Sequence, residues 1–227
     1  SGTGININDI GITQKLGEVG VLGINIFSMS FGDIPTTDYF NPEGYGTYHP
    51  QFLNITLGFA KQFSTHINGG LSATYVSEQI NNISALGLAF DGGIQYATGK
   101  RDNFHFGISL RNIGTNMRYT GSGFAISADQ PQSSPTFAVT VNYPSDKFEM
   151  PTNLNIGASY DWYLDENHLS SKESLPMHRL TVLGNFTSNS FNNDYIGGGL
   201  EYGFRSLFML RAAYRYESGI GSPSTTT

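Results

Sequence analysis

Charged side chains recur at alternate positions in several segments of this sequence, where they share their parity with small or polar residues. Alternate side chains of a β-strand point to the same face of a sheet, and opposite charges on neighbouring strands attract each other. The pattern predicts a polar inner face on which these groups pair across strands and fill a closed sheet. Selection of a permeant solute is the alternative role for the same set: Glu78, Asp91, Arg111, Asp161, Glu201, Arg211, Arg215 and Glu217.

Catalytic and metal chemistry finds little support in the sequence. Cys is absent, which excludes thiolate ligands and Cys nucleophiles. The five His residues lack the spacing of a metal-binding motif. His178 near Ser170 or Ser171 could suggest a lipase, but nothing in the sequence orients the pair. We therefore expect no enzyme activity, with no catalytic residue, no metal and no cofactor.

The composition favours a membrane β-barrel over a cytosolic enzyme. The net charge is −6 without a basic cluster, which argues against a nucleic-acid partner. Charged residues make up only 13%, aromatic residues also reach 13%, and there are 28 glycines. The chain opens with SGTGININD, without the basic segment and apolar run of a signal peptide, so we interpret it as a mature or truncated piece.

Period-two alternation is the main structural signal, and residues 75–99 show it most clearly. Two strands are predicted there, joined by a turn at Asn81 and Asn82. In the second, one face carries Leu86, Leu88, Phe90, Ile94 and Tyr96, and the other carries Gly87, Ala89, Asp91, Gly93, Gln95 and Ala97. The whole chain predicts roughly ten strands of about ten to thirteen residues, which suits tilted membrane-spanning strands. A soluble β-sandwich with the apolar face as its core is the alternative. Strand length, low charge and Tyr residues near strand ends favour the membrane.

We therefore predict one outer-membrane β-barrel domain over residues 1–227, with long extracellular loops at about 32–51 and 113–150. A hairpin strand around Phe137 to Tyr143 would stand out from the barrel, and residues 165–176 would form an enlarged periplasmic turn. Exposed aromatic side chains mark interfaces, although these side chains could also pack on each other as a lid. The candidate partner-binding residues in the two loops are Tyr39, Phe40, Tyr45, Tyr48, Met117, Tyr119 and Phe124.

Five segments of the chain resemble the PorV/PorQ family of outer-membrane proteins from Bacteroidetes-type bacteria, which is related to the FadL fatty-acid transporters. The segments follow the family's order and cover most of the chain. They are FGDIPTTD (31–38), SEQINNISALGLAFDGGIQYATG (77–99), FGISLRNIGTNMRYTGSGF (106–124), MPTNLNIGASYDW (150–162) and GGGLEYGFRSLFMLRAAYRYESG (197–219).

The resemblance implies an all-β fold, an antiparallel transmembrane β-barrel of FadL type in the cell outer membrane, incomplete at both ends in this chain. It also implies a role in the type IX protein secretion system, in which PorV-type proteins are thought to collect secreted cargo and shuttle it from the translocon. The implied partners are outer-membrane lipid, type IX translocon subunits and the C-terminal domains of secreted cargo. A FadL-like transporter of hydrophobic solutes is the alternative function.

Overall fold

The protein is described here from a computed structural model. The structure describes residues 4–37, 39–129, 138–165, 176–205 and 207–217. Within these ranges the fold is all-β, with fifteen strands and one short 3-10 helix, Ser122–Phe124. No helix in these ranges has the length and hydropathy that a membrane crossing by a helix requires.

The strands differ widely in length, and ten of them are ten residues long or longer. In chain order they are β1 (Asn6–Lys15), β2 (Val21–Ser30), β3 (Ile34–Thr36), β4 (Gly46–Tyr48), β5 (Gln51–Gln62), β6 (Ile67–Ile80), β7 (Ile83–Thr98), β8 (Phe104–Gly114), β9 (Thr120–Gly121), β10 (Ala125–Asp129), β11 (Ala138–Asn142), β12 (Asn153–Tyr163), β13 (His178–Asn189), β14 (Tyr195–Phe204) and β15 (Phe208–Glu217).

The long strands all belong to one eleven-stranded sheet. Its order is β1-β2-β5-β6-β7-β8-β12-β13-β14-β15, with β9 paired to β7. The all-β class and the large antiparallel sheet confirm the sequence prediction, as does the turn at Asn81 and Asn82 between β6 and β7. No closed barrel is found in the described ranges, so barrel closure is a proposal.

Two small hairpins lie outside the main sheet. Strands β3 and β4 form one, and β10 and β11 form the other. The second hairpin matches the strand predicted around Phe137 to Tyr143, although Phe137 itself lies outside the described residues. Most of the predicted turn at 165–176 also lies outside them.

The chain divides into two compact units. The first comprises residues 1–59, 72–90 and 113–150, and the second comprises residues 60–71, 91–112 and 151–227. Both long connections predicted from the sequence, at about 32–51 and 113–150, therefore belong to the first unit.

In the first unit the large apolar side chains of β7 are exposed and the small ones are buried. Leu86, Leu88 and Phe90 are 55%, 45% and 51% exposed, whereas Ala85 and Ala89 are 1% and 3% exposed. A two-layer soluble sandwich would bury the large side chains instead. The apolar face predicted from the alternation is thus present, and the protein does not cover it in the described part of this unit.

On β14, in the second unit, large apolar side chains are likewise exposed and small residues are buried. Ile196, Leu200 and Tyr202 are exposed, while Gly197 and Gly203 on the opposite face are buried. Across the described residues as a whole, the buried hydrophobic side chains are those of Ala85, Ala89 and Met117 alone. Folding has therefore left most of the apolar surface of these strands in contact with the surroundings.

Candidate functional site

An aromatic loop, residues 39–45, caps the short hairpin of β3 and β4. Backbone pairing of Ile34 with Tyr48 and of Thr36 with Gly46 closes the hairpin. The Tyr45 N–H donates to the Thr36 carbonyl over 3.0 Å. These bonds join the two strands that flank the loop and so fix the positions of its ends.

Three of the predicted partner-binding residues are exposed in the aromatic loop. Tyr39 is 94% exposed, Phe40 86% and Tyr45 63%. The rings of Tyr39 and Phe40 meet edge to face, with their centroids 5.5 Å apart. Tyr48 is half-buried at the base, in β4. The loop thus presents large apolar surface that its own neighbours leave uncovered.

The other three predicted partner-binding residues are packed or partly covered. Met117 is fully buried, so its side chain is not part of an exposed surface. Tyr119 is half-buried and its hydroxyl donates to the Glu78 carboxylate, while Phe124 is half-buried at the end of the 3-10 helix. Burial raises the pKa of Tyr119 to about 12, with further contributions from the hydrogen bond to Glu78 and its negative charge.

An ion network joins three strands on the predicted inner face of the second unit, which is the face opposite its exposed apolar side chains. The two Glu201 carboxylate oxygens on β14 each lie 2.5 Å from a guanidinium nitrogen, one of Arg179 on β13 and one of Arg211 on β15. Glu201 and Arg211 are direct partners in the strand register. The predicted pairing of opposite charges is confirmed here. Sequence reasoning missed Arg179, although its shared parity with Thr181 places it on the inner face.

Other charged groups of the predicted inner face make hydrogen bonds with neutral groups or an ion pair within one strand. The Thr181 hydroxyl donates to Asp161, and the Asn112 backbone N–H donates to Asp91 over 2.7 Å. Arg215 lies 3.7 Å from Glu217 on the same strand. Hydrogen bonds from neutral groups therefore contribute to the inner face at Asp161 and Asp91.

A cavity of about 500 Å³ lies on the inner face of the second unit. Its polar lining comes from carboxamide side chains on four strands: Asn68, Gln95, Asn155 and Asn185. Gly107 and Gly157 also line the cavity and are direct partners in the strand register. Because they lack side chains, they leave space in this part of the cavity. The cavity can accept a neutral polar group, because carboxamides both donate and accept hydrogen bonds.

Aromatic side chains gather on the apolar face of the second unit. The Tyr160 and Trp162 rings lie 4.9 Å apart on β12, and His178 Nδ1 lies 2.6 Å from the Tyr202 hydroxyl. The His178 ring also packs against Phe204 at 5.2 Å. His178 is thus held by a tyrosine. The hydrolase alternative would need Ser170 or Ser171, and both lie outside the described residues.

Comparisons with protein-family models, with curated proteins and with solved structures find no match to this chain.

Proposed function

We propose that this chain forms part of the wall of an outer-membrane β-barrel of the type IX secretion system, which binds or shuttles secreted cargo or associates with the translocon. The exposed apolar face carries the proposal. Burying apolar surface contributes about 25 cal/mol per Å², and soluble monomers rarely leave a large continuous apolar patch in water. Lipid tails would cover this face at no cost in backbone hydrogen bonds for the long strands between β1 and β15, which are paired on both sides. The edge strands β1 and β15 would need pairing partners in the complete barrel.

Strand length supports the same proposal. The ten long strands span 10 to 16 residues, against about 5–6 in most soluble sheets. A strand of about 9–11 residues tilted by ~45° crosses the apolar band of a membrane. The polar inner face, with its ion network and its carboxamide-lined cavity, corresponds to the interior of such a barrel.

The partner surface in this proposal is the aromatic loop. Exposed Tyr and Phe side chains supply the anchors that dominate many protein interfaces. The loop belongs to the first unit, which also contains the second long connection. In the proposed orientation the loop faces outward from the cell, where secreted cargo and translocon subunits are found.

Binding of a purified C-terminal domain from a secreted cargo protein tests this role. Replacement of Tyr39, Phe40 and Tyr45 by Ser should weaken the binding at least tenfold, because it removes the exposed aromatic anchors. Phe191→Ser is the matched control, since Phe191 is also exposed (59%) but lies in a different turn. Equal binding by the loop variant and the parent protein would refute the role of the loop.

A FadL-like solute transporter is the second candidate, and the cavity in the second unit is the observation that supports it. Its lining combines carboxamides and a serine with glycines, Ala60, Ile94, Ile108 and Ile156, so it does not select a hydrophobic solute in particular, and we therefore place this function second. Uptake of a radiolabelled fatty acid into vesicles that contain the protein, above the level of empty vesicles, would reverse this order.

A further inference from the structure

A strap crosses the inner face of the first unit. We define the strap as residues 115–121 together with residues 145–150. Met117 and Phe148 exchange two backbone hydrogen bonds, of 2.7 and 2.9 Å, which join its two halves. The Tyr119 ring stacks on that of Phe148, with the centroids 5.4 Å apart.

A second set of bonds joins the same two halves around Ser145. The Tyr119 N–H donates to the Ser145 hydroxyl over 2.9 Å, and the Ser145 N–H donates to the Tyr119 carbonyl over 3.1 Å. The Arg118 side chain donates to the Ser145 carbonyl over 2.9 Å. The strap therefore has its own internal hydrogen bonds and does not need the main sheet to hold its two halves together.

Met117 of the strap packs against Gly87 on β7 of the sheet. A Cβ added to Gly87 on β7 would lie 2.8 Å from Met117 Cγ and 3.4 Å from Met150 Cε. A Cβ at position 87 would force Met117 to shift, whereas it would be in ordinary contact with Met150. Met117 is the largest fully buried side chain in the described ranges, and beside it Ala85 and Ala89 are also buried.

Polar contacts fasten both ends of the first half of the strap. At its start the Thr115 N–H donates to the Leu88 carbonyl over 2.9 Å. Near its end the Tyr119 hydroxyl donates to Glu78 on β6. The two-residue strand β9 then pairs with Ile83 and Ser84 of β7.

Glycine is required where β9 meets the β6–β7 turn. Gly121 has a φ of 145°, and a Cβ at this position would overlap the carbonyl oxygen of Asn82. The strap is thus shaped to fit the sheet, yet only a few short contacts fasten it there. Glu78 and Gly87 contact the strap directly, and Ala85 and Ala89, which share the face of Gly87 on β7, are buried.

We infer that the strap is a lid, which opens as a unit while the sheet beneath it stays folded and so controls access to the inner face of the first unit. Internal hydrogen bonds hold the two halves of the strap together, and besides Met117 its attachments to β6 and β7 are short polar contacts and the two-residue strand β9. Elements joined to the rest of a fold by few contacts open locally before a domain unfolds. Two contacts hold the lid closed: the packing of Met117 against Gly87 and the hydrogen bond from Tyr119 to Glu78. The inference is independent of the proposed membrane location and of the proposed partner.

Cysteine labelling measures the opening, because the chain contains no native Cys. Ala85→Cys places a thiol beneath the lid, and Thr47→Cys on β4 is an exposed control. In the purified full chain, a charged maleimide should label the first at least a hundredfold more slowly. Adding Tyr119→Phe should raise the Ala85→Cys rate about tenfold or more, because it removes a hydrogen bond to a charged group and keeps the ring. The Thr47→Cys rate should not change.

The dependence of labelling on urea separates a lid from a fixed part of the fold. Local opening exposes little surface, so the Ala85→Cys rate should rise with urea less steeply than global unfolding does. Hydrogen exchange of the Met117 and Phe148 amides in the unaltered chain should be faster than that of β7 and should keep a shallow urea dependence. Labelling and exchange that occur only with global unfolding, or a rate unaffected by Tyr119→Phe, would overturn the inference.

Discussion

Substitutions at two adjacent positions on β7, Ile94 and Gln95, test whether lipid or water contacts the apolar face of the sheet. Both side chains are exposed, Ile94 by 52%, and they point to opposite faces. Thr98 ends the strand four residues beyond Ile94. At about 3.4 Å per residue and a tilt of ~45°, Ile94 would lie about 10 Å inside the membrane. That depth is close to the middle of an apolar band about 25 Å tall.

A charge at position 94 should therefore be costly, whereas one at position 95 should not. In lipid, Ile94→Arg is expected to lower the free energy of unfolding by about 2–4 kcal/mol. Gln95→Arg on the inner face should change it by less than about 0.5 kcal/mol, as surface substitutions usually do. If the outer face met water, both variants would fall in the smaller range.

Urea unfolding of the two variants and the parent in phospholipid vesicles, followed by Trp162 fluorescence, measures the difference. The midpoints convert to free energies if the slopes agree. A cost below about 0.5 kcal/mol for Ile94→Arg, equal to that of Gln95→Arg, would refute the assignment of this face to lipid.

Two further predictions concern the polar contacts. Glu201→Gln should destabilise the protein by about 1 kcal/mol, and by less at high salt, because Glu201 joins Arg179 to a largely exposed Arg211. Denaturant unfolding measures this cost, and the control Glu18→Gln, in an exposed turn, should have almost no effect. A cost for Glu201→Gln no larger than that of Glu18→Gln would contradict the role assigned to Glu201. The pKa of Tyr119 is raised to about 12 from the usual 10.0, so this residue should contribute stability that is complete below pH 10 and is lost as the pH rises through 12. Tyrosinate absorbance should show a last step near pH 12 that is missing in Tyr119→Phe. An identical titration of the variant and the parent would contradict the raised pKa of Tyr119.

The strands could be predicted from the sequence because every other residue reports the environment of one face. On β7 the alternation of Leu86, Leu88 and Phe90 with small residues is continuous, and the observed exposure follows the same period. The alternation predicts strands over Ile5–Lys15 and Leu154–Leu164, and the bounds of β1 and β12 agree with these to within one residue. Asn81, at a φ of 49°, forms the predicted turn after β6, since Asn tolerates this conformation better than most residues.

The strap could not be predicted in this way, because its contacts join positions far apart in the chain. Met117 pairs with Phe148, and Tyr119 reaches Glu78, which is 41 residues earlier. The sequence shows an aromatic, glycine-rich loop but no period that would indicate which side chains turn inward. Whether a Met or Tyr in such a loop is exposed depends on a partner such as Gly87, whose missing side chain leaves the space.

The position of Trp162 relative to lipid tests the central claim most directly, because it is the only tryptophan in the chain. Its side chain is 46% exposed on the apolar face, one residue before β12 ends. In vesicles of brominated phospholipid we predict strong quenching of its fluorescence, strongest with bromine near the headgroup, where interfacial aromatic residues lie. Full quenching by aqueous iodide, with none by any brominated lipid, would contradict the assignment of the apolar face to a membrane.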